Sequence, residues 1–286
     1  ADFEARYEEL ELLGEGGFGS VFAGFRISDE LPVRLMMNGE VNAVPLEVAL
    51  TLKATGGPES TGSSAIISLL DWYDLDQELI LVLERPVPCV DLSQYVKENG
   101  GSLQEHEIIM RQLVEAAMEL HSKHVFHRDI KLENILVETG SDVPRVRVTD
   151  FSCSCFIRRG HYHLFSGTLE CVPPEWYMHK RYRARPTTVW QLGVVLYGML
   201  DGHTSFDTLK FLHSKLSINN CQELLRMCLS KVPKQRPTLE QLHSWCGRKI
   251  SPERAGKMRQ DERVWPNTLL IQNDPVSQPL SRPELE

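Results

Sequence analysis

An α+β chain of two unequal lobes, a small strand-rich one hinged to a larger helical one, is the architecture this sequence predicts. Apolar residues alternate with polar ones up to about position 85, and beyond it they recur at spacings of three and four. The change falls at 84-ERPVP-88, a short connector stiffened by its prolines. At 286 residues, 42% hydrophobic and 24% charged, the chain can bury a sizeable core as one large domain or two lobes.

The small lobe covers residues 7–85. Segments 7–13 and 20–26 alternate and flank a glycine-rich turn, which predicts a hairpin. A third strand ends in 33-VRLM-36. Val44, Val48 and Leu52 have helical spacing, so 44–54 is read as a helix with Pro45 in its tolerant first turn. Residues 56–64 make a Gly/Ser/Thr loop, and 66–70 and 79–84 read as buried strands. After the hinge at 84–88 comes the larger lobe, 89–248. Within it 103–124 is an amphipathic helix with apolar residues at Ile108, Ile109, Leu113, Ala116, Ala117 and Leu120. Residues 188–200 are apolar nearly all round and predict a buried helix, and 221–229 and 239–245 add two more. Residues 249–286, rich in Pro and polar side chains, read as a flexible tail outside the 7–248 domain.

Bulk charge narrows the function classes. With 39 acidic against 31 basic residues the net charge is −8, which argues against binding nucleic acid and is compatible with a cationic substrate. Seven cysteines, an odd number with no small secreted scaffold around them, point to a reduced, intracellular setting in the cytoplasm and also the nucleus. No apolar run approaches a membrane span and no cleavable leader pattern opens the sequence, so no membrane role is expected. A monomer is expected.

Segment 14-GEGGFGSV-21 fits G-x-G-x-x-G-x-V, in which glycines let backbone amides approach phosphate oxygens without a Cβ in the way. A second strand follows it instead of a helix, which argues against a dinucleotide-binding turn. Segment 127-HRDIKLEN-134 is far more specific: His-Arg-Asp with an asparagine five residues after the aspartate is the layout of a protein-kinase catalytic loop. Asp150-Phe151-Ser152 stands where a magnesium-binding D-F-G belongs, with serine for glycine. Farther on, 173-PPEW-176 supplies Glu175 to pair Arg236 of 235-QRPT-238. Cys153-x-Cys155 and His161-x-His163 have spacing narrower than structural zinc pairs use, and are read as coincidence.

These motifs resemble a protein kinase, and more narrowly the Pim family of serine/threonine kinases. The narrower likeness rests on 12-LLGEGGFGSVFAG-24, 84-ERPVP-88, 171-CVPPEW-176, 189-VWQLG-193 and 228-CLSKVPKQRPT-238. The resemblance implies that Asp129 orients the substrate hydroxyl, Lys131 stabilises charge, and Asn134 and Asp150 hold Mg2+. It implies an ATP site made by Leu13, Gly14, Glu15, Gly16, Gly17, Phe18, Gly19, Val21, Glu84 and Asp150. Pro88 has no N–H to give a purine, which leaves the Glu84 carbonyl as an acceptor. The family favours arginine- and lysine-rich protein substrates, and Asp91 and Glu133 resemble its substrate-reading carboxylates. The acid that usually stands beside the latter is Leu132 here. The family also needs no activation-loop phosphate, and Thr168 is expected to bond to Asp129 or Lys131.

One position departs from the pattern. The third strand of a kinase ends in a lysine that touches the phosphates and pairs with a helix glutamate. Glu47 matches that glutamate, but Met36 stands in place of the lysine, and no lysine precedes Lys53. The connector from Met36 to Glu47 is also short for the family. Strand alternation places Arg34 on the side of Met36, where it either replaces the lost charge or fills the purine space. Losing such a contact costs a few kcal/mol, roughly 10²- to 10³-fold in rate. The expectation is an ATP- and Mg2+-dependent serine/threonine kinase impaired at Met36, the alternative an inactive pseudokinase that binds or scaffolds.

Overall fold

The computed structural model describes residues 3–16, 19–38, 46–55, 62, 64–75, 78–100, 103–202, 206–213 and 223–246; the tail, Gly17, Phe18 and Pro45, and the side chains at 16, 35–38, 78 and 103, lie outside that description. A one-turn helix α1 (Phe3–Arg6) leads into strands β1 (Tyr7–Gly16), β2 (Gly19–Arg26) and β3 (Leu31–Asn38). Helix α2 (Leu46–Thr55) follows, then β4 (Leu69–Leu75) and β5 (Glu78–Glu84). These strands form one antiparallel sheet in the order β1-β2-β3-β5-β4. The β-rich lobe is small because its core is small: Val48 of α2 packs on Ile67, Leu69, Leu79, Leu81 and Leu83.

One strand lies later than its apolar run suggests. The apolar run predicts a strand over 66–70, whereas β4 starts at Leu69 and runs through the half-buried Asp71, Trp72 and Tyr73. The apolar residues before it serve another purpose. Ile66 bridges in parallel to Val148 of the helical lobe, with Ile67 N–H donating to Val148 O at 2.9 Å and Val148 N–H to Ala65 O at 2.7 Å.

Past the connector come β6 (Cys89–Asp91), α3 (Leu92–Asn99), α4 (Leu103–Ser122) and β7 (Val125–Phe126). Helix α3 is short and is not among the helices the sequence predicts; the Asp91 carboxylate caps its first turn, accepting from Gln94 N–H at 2.9 Å, and Gly100 ends it at φ +67°. Strands β8 (Ile135–Glu138) and β9 (Arg145–Val148) pair with β6 in the order β6-β8-β9, and β10 (Cys155–Phe156) pairs with β7. Helices α5 (Pro174–His179), α6 (Ala184–Asp201), α7 (Thr208–Leu212), α8 (Glu223–Cys228) and α9 (Leu239–Cys246) complete the larger lobe. Its core lies between α4 and α6: Ile109, Leu113, Ala117 and Leu120 of the one pack with Val189, Trp190, Leu192 and Val195 of the other. Each large side chain so buried contributes roughly 1.5–3 kcal/mol, which is why the long amphipathic and apolar runs dominate this lobe.

The hinge is tied by more than its backbone. Arg147 of β9, fully buried, forms an ion pair with the Glu84 carboxylate, and Glu138 lies 3.8 Å away. Glu84 also accepts Gly62 N–H at 2.9 Å and Ser68 N–H at 3.3 Å. No helix of the described residues is long and apolar enough to cross a membrane.

Candidate active site

A cleft of about 610 Å³ opens between the lobes. Leu13, Gly14, Glu15, Gly19 and Val21 of the β1–β2 hairpin line its upper side, and Asp129, Lys131, Glu133, Asn134 and Leu136 its lower side. Asp91 and Asp150 line it as well. The structure therefore brings together most residues singled out from the sequence. Gly16 ends β1 opposite Gly19, Gly17 and Phe18 lie outside the described residues, and Glu84 stands at the end of β5 beside the cleft rather than lining it.

The centre of the site is Asp129, buried at 5% exposure. Its Oδ1 accepts Thr168 N–H at 2.7 Å, and its Oδ2 and backbone carbonyl accept from Asn134 Nδ2 at 3.2 and 2.9 Å. Lys131 Nζ donates to Thr168 Oγ1 at 2.9 Å and lies 3.6 Å from Asp129 Oδ2. Behind this cluster His127 bonds Thr149 O through Nε2 at 3.0 Å and receives Asp129 N–H on Nδ1 at 3.3 Å. Burial pushes its pKa down, so the ring is neutral and serves as a strut. Arg128, at φ +70°, donates to the carbonyls of Cys153 and Ser154, binding the catalytic loop to the segment after Asp150.

Thr168 reaches Asp129 because the preceding residue is glycine. Gly167 has φ +123°, and a Cβ there would meet Arg128 O at 2.6 Å. Leu132, where the family usually carries an acid, turns instead into the helical core: a Cβ on Gly198 of α6 would meet its Cδ1 at 2.7 Å. The loop thus keeps one exposed acid, Glu133. Asp91 lines the cleft while one of its oxygens caps α3. Glu175 and Arg236 form the expected buried pair, at 2.9 and 2.6 Å.

Asn134 and Asp150 offer oxygen donors suited to Mg2+, since the Asn134 amide nitrogen is committed to Asp129 and leaves its oxygen for a cation. Ser152, at the glycine position, bonds to the Asp150 carboxylate itself. Its hydroxyl donates to Asp150 Oδ1 at 2.5 Å and its N–H to the same oxygen at 3.1 Å. Leu13, Val21 and Leu136 provide apolar surface for a planar base. Arg34, opposite Ala23 and Leu83 in β3, also lines the cleft. Burial lowers its pKa, and the charges acting on it are those of Cys89, Arg85, Asp91 and Asp150. Burial, then the Asp150 charge, raise the Glu47 carboxyl to about 7. Arg34 lines the larger cleft together with Cys89, Asp91 and Asp150, whereas Glu47 lines a smaller pocket beside Phe151. The Met36 backbone sits opposite Val21 and Leu81, and its side chain lies outside the described residues. Among the described residues no cluster of three or more His, Cys, Asp or Glu side chains could hold a metal, and the described cysteines are free thiols.

Comparison with known proteins agrees with this geometry. The protein kinase domain family matches residues 7–246. The chain is 40% identical over 268 residues to the serine/threonine-protein kinase pim-2 of Danio rerio, covering 85% of each. It is 31% identical over 270 residues to the serine/threonine-protein kinase prk-2 of Caenorhabditis elegans, and 31% over 267 residues to the sperm motility kinase 2B of Mus musculus. In those two cases it covers 85% of itself and spans 58% and 52% of the relative's length.

Proposed function

Since the chain belongs to the protein kinase family, in its Pim-like serine/threonine branch, we propose that it transfers the γ-phosphoryl group of ATP to serine or threonine hydroxyls in arginine- and lysine-rich sites of proteins. The observation that carries this reading is the setting of Asp129, fixed by Thr168 and Asn134 and flanked by Lys131. So held, the Asp129 carboxylate accepts the hydroxyl proton as the new O–P bond forms. Lys131 faces the charge that builds on the transferring group. Asn134 and Asp150 would hold Mg2+, which would supply positive charge to offset that of the phosphates. The glycine-rich hairpin supplies backbone amides above the phosphates, and the Glu84 carbonyl accepts a hydrogen bond from the base. Glu133 and Asp91 offer carboxylates to a substrate guanidinium. The free cysteines support an intracellular setting, cytoplasmic and nuclear, and the enzyme is taken to act as a monomer.

A specific observation favours a second reading, a binding module without transfer: Met36 stands at the lysine position, and Arg34 lines the cleft. The two separate in one assay with labelled ATP, Mg2+ and an arginine-rich peptide, using native chain, Asp129→Asn and Met36→Lys. Transfer by the native chain that Asp129→Asn cuts at least a hundredfold supports the kinase. No transfer by the native chain, with transfer by Met36→Lys, sinks it in favour of the binding module.

A further inference from the structure

The segment after β10 and the start of α6 carry charge of one sign only. Residues 151–169 and 176–200 contain no Asp or Glu, while 158–163 read RRGHYH and 179–185 read HKRYRAR. The fold places these two runs side by side. Tyr162 and Tyr182 exchange backbone hydrogen bonds at 2.9 and 3.0 Å, and their rings stack with centroids 5.4 Å apart. Arg158, Arg159, His163, Lys180, Arg181 and Arg183 are exposed around that bridge. The cations are held in place: Arg158 lies 4.4 Å from the Tyr162 ring centroid, Lys180 4.2 Å from that of Trp176, and Arg183 Nε donates to His161 Nε2 at 3.1 Å. Among the described residues none of these arginines or Lys180 has an acidic partner within 4.0 Å, whereas the neighbouring Arg185 has Glu240 at 3.9 Å.

We propose that this basic face, built on the Tyr162–Tyr182 bridge, is a docking surface for an acidic segment of a partner protein. Packing like charges together costs stability, and here no acid in either run offsets it. Complementary charge on a partner does. A protein segment fits better than nucleic acid or a membrane for two reasons. The whole chain is at −8, so an extended polyanion would meet repulsion beyond the patch, while a short acidic peptide meets only the patch. Leu164, 85% exposed next to His163, gives an apolar contact that peptides can use and phosphates cannot. The surface is independent of phosphoryl transfer and would serve a kinase or a binding module alike.

The test uses the full chain and a fluorescently labelled peptide of glutamate and leucine residues. Arg159 and Arg181 make no hydrogen bond or ion pair among the described residues, so Arg159→Glu with Arg181→Glu reverses the charge without removing a contact. Lys97→Glu with Lys234→Glu, exposed lysines elsewhere, applies the same change in net charge. Binding to the native chain should weaken about tenfold between low salt and about 0.25 M salt. The Arg159/Arg181 reversal should lose at least tenfold in affinity, and the Lys97/Lys234 reversal less than threefold. Equal losses in the two variants, or no peptide binding by the native chain, would overturn the proposal. Tighter binding of a DNA duplex or a phosphatidylserine vesicle than of the peptide would overturn it also.

Discussion

Glu47→Gln should make the protein more stable at alkaline pH and leave it nearly unchanged in acid. The Glu47 carboxyl is raised to about 7, by burial first and by the Asp150 charge second. In the unfolded chain it titrates near the ordinary glutamate value of about 4.3. Between those two values the folded state holds a proton that the unfolded state has lost, so stability falls as pH rises through this window. Below it both states are protonated and nothing is lost. A gap of roughly 2.7 units corresponds to about 3.7 kcal/mol at most, and water reaching the half-buried side chain reduces this to about 2 kcal/mol. Glutamine keeps the neutral shape and cannot ionise. Urea unfolding of both proteins, followed by tryptophan fluorescence at pH 4.5, 6 and 8, should show a gap that opens from near zero to about 2 kcal/mol in favour of glutamine. A gap that stays constant with pH, or a variant less stable at pH 8, refutes the reasoning.

Three more outcomes are expected. Arg34→Ala should tighten MgATP about tenfold by calorimetry: roughly 100 Å² more of the base can be buried, worth about 2.5 kcal/mol, against about 1 kcal/mol of lost attraction for phosphates. Weaker binding would show that Arg34 assists the nucleotide. Ser152→Gly should raise Mn2+ affinity about fivefold, read by electron paramagnetic resonance, because Asp150 Oδ1 no longer receives a hydroxyl worth about 1 kcal/mol. An unchanged affinity would mean that this bond does not compete with the cation. Glu175→Gln should cost about 3 kcal/mol in urea unfolding, since it leaves the buried Arg236 charge with no countercharge, only neutral acceptors such as the carbonyls of Pro186 and Ser230, at 2.9 and 3.0 Å, and the ring of Trp190. A loss below about 1 kcal/mol would count against that pair as a stabilising element.

What could be read ahead of the structure was what is written in consecutive residues. HRDIKLEN fixes its own geometry, because Asp129, Lys131 and Asn134 bond within one turn and to Thr168. The hairpin and the helices α4 and α6 follow from periodicity carried by many side chains at once. The misses share a different cause: their partners lie far away in sequence. Arg147 sits in the run RVRV, which looks like a strand with one wet face, yet it is fully buried because Glu84 awaits it. Leu132 faces α6 because residue 198 has no side chain. Residues 66–68 had the composition of a sheet strand, and only the presence of β9 decides that they bridge to the other lobe. Whether Arg34 would meet Glu47 or the hinge depended on the rotamer and neighbours of one long side chain, which alternation along a strand does not specify.

The ties around Glu84 bear on what would happen if the chain were cut at the connector. A protease nick between Arg85 and Pro88 would sever one covalent path and leave the Glu84–Arg147 ion pair, the Ile66–Val148 bridge and the bond from Lys123 Nζ to Ala54 O at 2.6 Å. Each of these joins the two pieces without passing through the cleaved bonds. The halves on either side of the hinge thus carry mating edges and behave as complementary fragments, in which backbone continuity is a convenience and recognition resides in the seam.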